Sequence, residues 1–342
     1  MRPLLIAAAL PLLASLQSAC TQVPAAPAAP DIAVASSGYV EAALAINATM
    51  RANLYDPAEL ERPDYKDMES RLLDLARSST TDEEFLAGFG SLWKSGPFSH
   101  VTLQPARHTA EETAAYLDTL RVGDGAALSW QGDAAVLSVK TMMGLDTIEQ
   151  IDAAYDEIAR HGASRLVIDL RGNGGGAFAV VPLIEHVLSE PFDAGSFVAR
   201  RWNAENDRAP TPADLQQIVP WTGWSIRSFW ADVTYTPLTR IRFEPRPDPY
   251  TGPVFVLIDR QTASAAEMAA DALKASGRAR LIGETTAGQM LSQKMFDIPG
   301  GFQLSLPIAD YYSTANGRIE GQGVTPDVPT SPGLAMDIAL TM

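Results

Sequence analysis

Arg165-Leu-Val-Ile-Asp-Leu170 runs without interruption into Arg171-Gly-Asn-Gly-Gly-Gly176. A short, nearly continuous apolar run that ends in glycines reads as a strand buried on both faces, followed by a sharp turn. A helical pattern then extends to Leu188. The same order recurs downstream. Pro253–Ile258 is a strand, Ser264–Ser276 a helix ended by Gly277, and Arg280–Gly283 a strand. Upstream, Ala134–Val139 is a strand, and a helix opened by Asp146-x-x-Glu149 runs to Arg160 and stops at Gly162. Alternating strands and helices imply an α/β fold with a mainly parallel sheet and right-handed crossovers.

The flanks differ. Residues 38–98 read as a helical subdomain: apolar residues from Tyr39 to Leu54 fall at 3–4 spacing, a second helix covers Tyr65 to Arg77, and Thr81-x-x-Glu84 opens a third. Residues 99–342 form the core. Within it, residues 196–250 hold Trp202, Trp221, Trp224 and Trp230 with little periodicity, and read as an insertion lying over the core.

The N-terminus looks like an export signal. Arg2 precedes an apolar run, Leu4 to Leu16, whose roughly 20 Å of helix is short of the ~30 Å membrane core. Residues 1–19 are assigned to the signal and residues 20–37, rich in Pro and Ala, to an extended tether. The only cysteine, Cys20, lies directly behind the apolar run, in a segment that resembles a bacterial lipoprotein cleavage box. Lipid on Cys20 would make the protein an anchored periplasmic lipoprotein, and this anchor is the only membrane contact expected.

Composition excludes several classes. With 26 Lys+Arg against 41 Asp+Glu, the chain carries a formal net charge of −15, unsuited to tracking phosphates, so no nucleic-acid partner is expected. One cysteine allows no internal disulfide and no cysteine-based zinc cluster, and the four histidines show no HExxH spacing.

Four motifs could carry chemistry. Gly172-x-Gly174-x-x-Ala177, with Asp193 about twenty residues on, formally fits a dinucleotide fingerprint, although Asp193 sits in a turn-like segment. The same glycines could instead turn N–H groups outward to hold a developing oxyanion, or simply make a tight turn. Ser264-x-x-Glu267 is a capping box, but strand–turn–Ser–helix is also how a nucleophile is presented. One rotamer cannot both cap and attack. Ser99-His100 supplies a possible base. Glu320 lies in the turn-rich Gly317–Asp327 segment.

Together, DLRGNGGG, TASAAE, Ile282-Gly-Glu-Thr-Thr-Ala-Gly288 and EGQGVTPDV resemble the S41 serine peptidases. That family includes the tail-specific (C-terminal processing) proteases, the tricorn protease core and the interphotoreceptor retinoid-binding modules. The resemblance implies a crotonase/ClpP-like ββα core behind the N-terminal helical subdomain, and serine peptidase activity on polypeptides without metal or cofactor. Tail-specific proteases use a lysine 25 residues after the serine, where this chain has Gln289, and Lys294 is out of register. Too few residues separate His100 from Arg165 for their PDZ domain. The chain therefore looks like the tricorn-type branch, which implies Ser264 as nucleophile, His100 as base, Glu320 with Ser99 as orienting groups, and backbone N–H groups of Ala265, Gly174 and Gly175 as the oxyanion hole. A non-catalytic relative that binds an apolar ligand or peptide, with the tryptophan-rich segment as pocket wall, is the rival expectation.

Overall fold

The computed structural model describes residues 32–342. The expected signal peptide, Cys20 and the tether up to residue 31 lie outside the described residues. Residues 32–37, expected in an extended tether, already belong to the first helix.

In chain order the elements are α1 (Ile32–Asn53), α2 (Pro63–Ser78), α3 (Asp82–Trp93), β1 (Thr102–Pro105), α4 (Ala110–Leu117), β2 (Ala126–Gln131), β3 (Ala134–Val139), α5 (Leu145–His161), β4 (Arg165–Asp169), α6 (Val180–Glu185), β5 (Phe192–Ala199) and α7 (Arg200–Glu205). There follow α8 (Pro212–Leu215), α9 (Ile226–Tyr235), β6 (Leu238–Phe243), β7 (Val254–Ile258), α10 (Ala265–Ala275), β8 (Arg280–Gly283), β9 (Ser292–Ile298), β10 (Phe302–Ser313), β11 (Gly317–Arg318), β12 (Val328–Pro329) and α11 (Pro332–Thr341). The expected strands at 134–139, 165–170, 253–258 and 280–283 are present within a residue or so. Gly162 closes α5 in the left-handed conformation, as its lack of a Cβ allows.

The first sheet has the order β12-β8-β7-β4-β3-β2 and is parallel except for the β2–β3 hairpin. Both its faces are covered. Ile168, Val256 and Ile258 pack in the main core with Ala269 and Leu273 of α10, while Val167, Phe255 and Leu257 pack on Ala335 and Ala339 of α11. Burial on two faces is why β4 and β7 read as unbroken apolar runs.

The sequence reading did not foresee the second sheet. It is antiparallel, of order β1-β10-β5-β6, with β9 and β11 also paired to β10. β10 is buried along almost its whole length, so it shows no alternation of apolar and polar residues. Residues 196–250 are accordingly not a separate layer over the core: they complete β5 and supply β6 of this sheet, with α7, α8 and α9 between them. The helical subdomain shares a core with the same sheet. Ile46, Met50, Phe85 and Phe89 pack with Phe302, Leu304 and Leu306. Each fully buried Phe contributes roughly 1.5–3 kcal/mol, enough to hold the following loop, which carries Ser99 and His100, against the sheet. Asp146 does not cap α5. That position is Gly144, and the Asp146 carboxylate instead accepts the N–H groups of Val122 and Gly123.

Candidate active site

Parallel neighbours β4 and β7 end side by side, so the turns that follow them meet. Asn173 stitches them together. Its Nδ2 donates to the Val139 carbonyl at 2.9 Å, its Oδ1 accepts the Gly175 N–H at 2.8 Å, and its carbonyl accepts the Ala263 N–H at 2.9 Å. Gly175 has φ +89°, and a Cβ there would sit 2.6 Å from Ser264 Cβ and 2.7 Å from the Ala263 carbonyl. Only glycine lets the two turns approach this closely. The same geometry corrects one expectation. The Gly175 N–H is committed to Asn173 and is not free for an oxyanion. Gly174 and Ala265 remain beside Ser264 on one cavity wall.

Ser264 stands between β7 and α10 with φ 56° and ψ −125°, the mirror of the ordinary (−60°, +120°) turn conformation and disfavoured for any residue with a side chain. The competition between capping and attack is resolved by the backbone. The Glu267 N–H goes to the Ser264 carbonyl at 2.8 Å, and the Glu267 carboxylate takes the Ser264 N–H at 3.0 Å. Among the described residues no hydrogen bond is made by the Ser264 hydroxyl, and Ser264 lines the cavity.

The side of the site that holds Ser99, His100 and Glu320 comes from far away in the chain. Ser99 Oγ donates to Glu320 Oε1 at 2.7 Å and lies 2.6 Å from His100 Nδ1. An ionised carboxylate only accepts, so the one hydroxyl proton of Ser99 goes to Glu320. Ser99 therefore accepts Nδ1–H, and the lone pair of the neutral ring is left on Nε2. Burial pulls the His100 pKa below its ordinary value, and the Glu320 charge partly opposes this. His100 lines the same cavity as Ser264, and its φ of 62° is also left-handed. Among the described residues its hydrogen bond runs to Ser99, not to Ser264.

Glu320 is itself held. Its Oε2 accepts the N–H groups of Met290, at 2.6 Å, and Leu291, at 3.2 Å. The preceding residues are clamped by Glu267, which accepts Thr286 Oγ1 at 2.5 Å, Gly288 N–H at 2.8 Å and Gln289 N–H at 2.9 Å. Burial pushes the Glu267 carboxyl upward, against the hydrogen bonds that favour its charge. Sequence reasoning gave Glu267 only a cap role. The structure makes it the link between the Ser264 turn and the loop that seats Glu320. Nothing in the local sequence signals this, because the loop lies about twenty residues downstream.

Other candidates resolve differently. Asp193 pairs with Arg240 and Arg242 across β5 and β6, where no ribose could be read. Asp169 and Arg171 pair with each other at the strand end. Lys294 lies on β9 with its amino group 5.5 Å from the Phe296 ring centre, and Gln289 holds Glu267 by its backbone. Trp202 packs in a small core with Val198 and Leu238, whereas Trp221, Trp224 and Trp230 line the cavity, whose volume is about 680 Å³.

A family model described as peptidase family S41 matches residues 133–330, more than half of the chain. The chain belongs to this family. Its matched region carries both glycine and serine turns and Glu320, while Ser99 and His100 precede it. The chain is 30% identical over 190 residues to a carboxyl-terminal-processing protease of Picosynechococcus sp., covering 55% of this chain and 37% of that protein. It is 29% identical over 187 residues to the chloroplastic C-terminal processing peptidase of Tetradesmus obliquus, covering 55% and 33%. These matches thus span about a third of the length of the curated relatives. Among solved structures, a lipoprotein from Streptococcus agalactiae superposes with TM-score 0.57 at 15% identity, over 89% of this chain and 95% of that one. The photosystem II D1 C-terminal processing protease superposes with TM-score 0.53 at 17% identity, over 87% and 94%. These likenesses show that the α/β fold is that of the family.

Proposed function

We propose that the protein is a serine peptidase that cleaves exported polypeptides by a Ser264–His100 mechanism with Glu320 in support. The observation that carries this reading is the hydrogen-bonded line Glu320–Ser99–His100, which ends on a cavity that also exposes the uncapped hydroxyl of Ser264. Ser264 Oγ attacks the scissile carbonyl while His100 Nε2 takes its proton. The carbonyl oxygen becomes an oxyanion near the Ala265 and Gly174 N–H groups. His100 then gives the proton to the leaving amine, an acyl-enzyme remains, and water activated by the same imidazole releases it. Catalytic hydrogen bonds often tighten only when substrate is bound, so the missing Ser264–His100 bond is compatible with this role. Family membership supports the reaction class.

The test is labelling by a fluorophosphonate, which needs an activated serine, together with hydrolysis of an unstructured polypeptide. Labelling at Ser264 that is lost in His100→Ala supports the assignment. A wild-type protein inert to both reagents sinks it, and the large apolar cavity then favours a binding protein for an apolar ligand or peptide. We further propose that export ends with lipid on Cys20. A mature N-terminus mapped by mass spectrometry at another residue, without lipid, would remove that anchor.

A further inference from the structure

The cavity beside Ser264 is larger than the reacting groups need. At about 680 Å³ it lies within the range of roughly 300–1,000 Å³ that encloses drug-sized ligands. Its walls are aromatic. Phe178 stacks on Trp221 with ring centres 5.5 Å apart and meets Trp224 edge-on at 6.3 Å, and Trp221 meets Phe229 edge-on at 5.4 Å. Phe178 follows the Gly174–Ala177 turn directly, so the aromatic wall begins where the candidate oxyanion site ends.

The wall is fixed before any ligand arrives. The Trp221 N–H donates to the Arg240 carbonyl at 2.9 Å. Asp118, which caps the C-terminal end of α4, accepts from Ser225 Oγ at 2.7 Å, the Ile226 N–H at 2.5 Å and Arg227 Nε at 3.0 Å. Trp230 Nε1 donates to the Gln293 carbonyl at 3.0 Å. Gly223 fits because any Cβ would lie 2.5 Å from the Trp221 ring. The segment from Trp221 to Trp230 is therefore a preformed wall, tied to β6, α4 and β9.

The charged side chains that line the cavity face one another in ion pairs. Arg242 contacts Asp193 at 3.0 Å and Glu244 at 2.8 Å, and Arg246 contacts Glu185 at 3.2 Å. An acidic or basic side chain entering the cavity would lose water and meet charges already engaged in ion pairs. A bulky apolar one would gain burial against rings.

We propose that this cavity is the acyl-side specificity pocket, and that the enzyme selects polypeptides with a large aromatic or aliphatic residue at the carbonyl that Ser264 attacks. The inference rests on the peptidase reading above and deepens it. The carbonyl held beside Gly174 and Ala265 belongs to the residue whose side chain lies nearest Phe178 and Trp221. Trp224, 45% exposed, forms the rim.

The experiment uses p-nitrophenyl esters of N-acetyl amino acids, which have no peptide on the leaving side, so only the acyl side chain varies. The wild type is expected to favour Phe and Leu esters over Ala by about tenfold or more in kcat/KM, and over Glu and Lys by at least as much. In Trp221→Ala the Phe-to-Ala ratio falls several-fold whatever the absolute rate. If that variant does not fold, Trp224→Ala at the rim carries the same comparison with a smaller fall. A wild-type preference for small or charged side chains overturns the proposal, and so does a Phe-to-Ala ratio that both variants leave unmoved. Failure of the peptidase reading is separable. In Ser264→Ala, quenching of tryptophan fluorescence by N-acetyl tripeptides ending in Phe, but not in Ala or Glu, reports the pocket without any catalysis. An inert wild type that still shows this quenching keeps the pocket and loses the enzyme; one that shows neither loses both.

Discussion

The proposed nucleophile half and the proposed base half of the site are assembled in opposite ways. Ser264, Ala265 and Gly174 sit on two turns at the ends of adjacent parallel strands, and one buried residue, Asn173, joins the turns through its backbone carbonyl, which accepts the Ala263 N–H. Ser99, His100 and Glu320 come from segments more than two hundred residues apart, brought together by the packing of α1–α3 against β9 and β10. The nucleophile half is a local construction with a rigid backbone. The base half is a long-range construction whose geometry depends on side-chain hydrogen bonds. Damage to the first should therefore act through sterics, and damage to the second through charge and proton position.

The largest expected effects treat the halves as one unit. Ser264→Ala and His100→Ala should each lower kcat/KM for peptide hydrolysis by about 10⁴-fold or more, and the double variant should be little worse than either single one. Additive losses in a double-mutant cycle would mean that the halves do not act together.

Next comes a purely steric test of the nucleophile half. Gly175→Ala forces a Cβ into Ser264 and the Ala263 carbonyl at a φ of +89°. Displacing the serine by about an ångström should cost on the order of 10²-fold in activity. The fluorophosphonate labelling rate should fall in step, while far-UV circular dichroism stays native. Full activity in this variant would refute the close-packed turn.

The base half should respond more gently. Glu320→Gln keeps the shape and removes the charge. A hydrogen bond to a charged group is worth about 1.5–3 kcal/mol, so the loss should be roughly 10- to 150-fold. The pH profile adds a sign. In the proposed mechanism the neutral imidazole is the active form, and burial lowers the His100 pKa. The acid limb of kcat/KM should therefore lie below the ordinary imidazole value of ~6.5. Glu320 opposes that lowering, so Glu320→Gln should move the limb further toward acid. A shift toward alkali would contradict the assigned contacts. Smallest of all, Lys294→Ala should stay within about twofold of wild type, since Lys294 sits over Phe296 on β9, outside the cavity.

This contrast also explains what could be read from the chain beforehand. β4, β7 and α10 were legible because strand, turn and helix are written contiguously there. Gly162 and Gly277 announced helix ends for the same reason. Ser264 was ambiguous until the backbone showed that the carbonyl does the capping. The partnership of Ser99 with Glu320 rests on tertiary packing, and only the family resemblance pointed to it. The second sheet was invisible because β10 is covered on both sides and because β5 and β6 flank a stretch without periodicity. Asp146 and the Gly175 N–H were misjudged for one reason. Each has a tertiary partner, the 122–123 backbone in one case and Asn173 in the other, that local spacing does not encode.

Ser264 and His100 share one more property. Both occupy left-handed backbone positions that glycine would fill more comfortably. Such conformations cost a side chain on the order of 1–3 kcal/mol. Ser264→Gly and His100→Gly should therefore raise the thermal midpoint or leave it unchanged, even as they silence the enzyme.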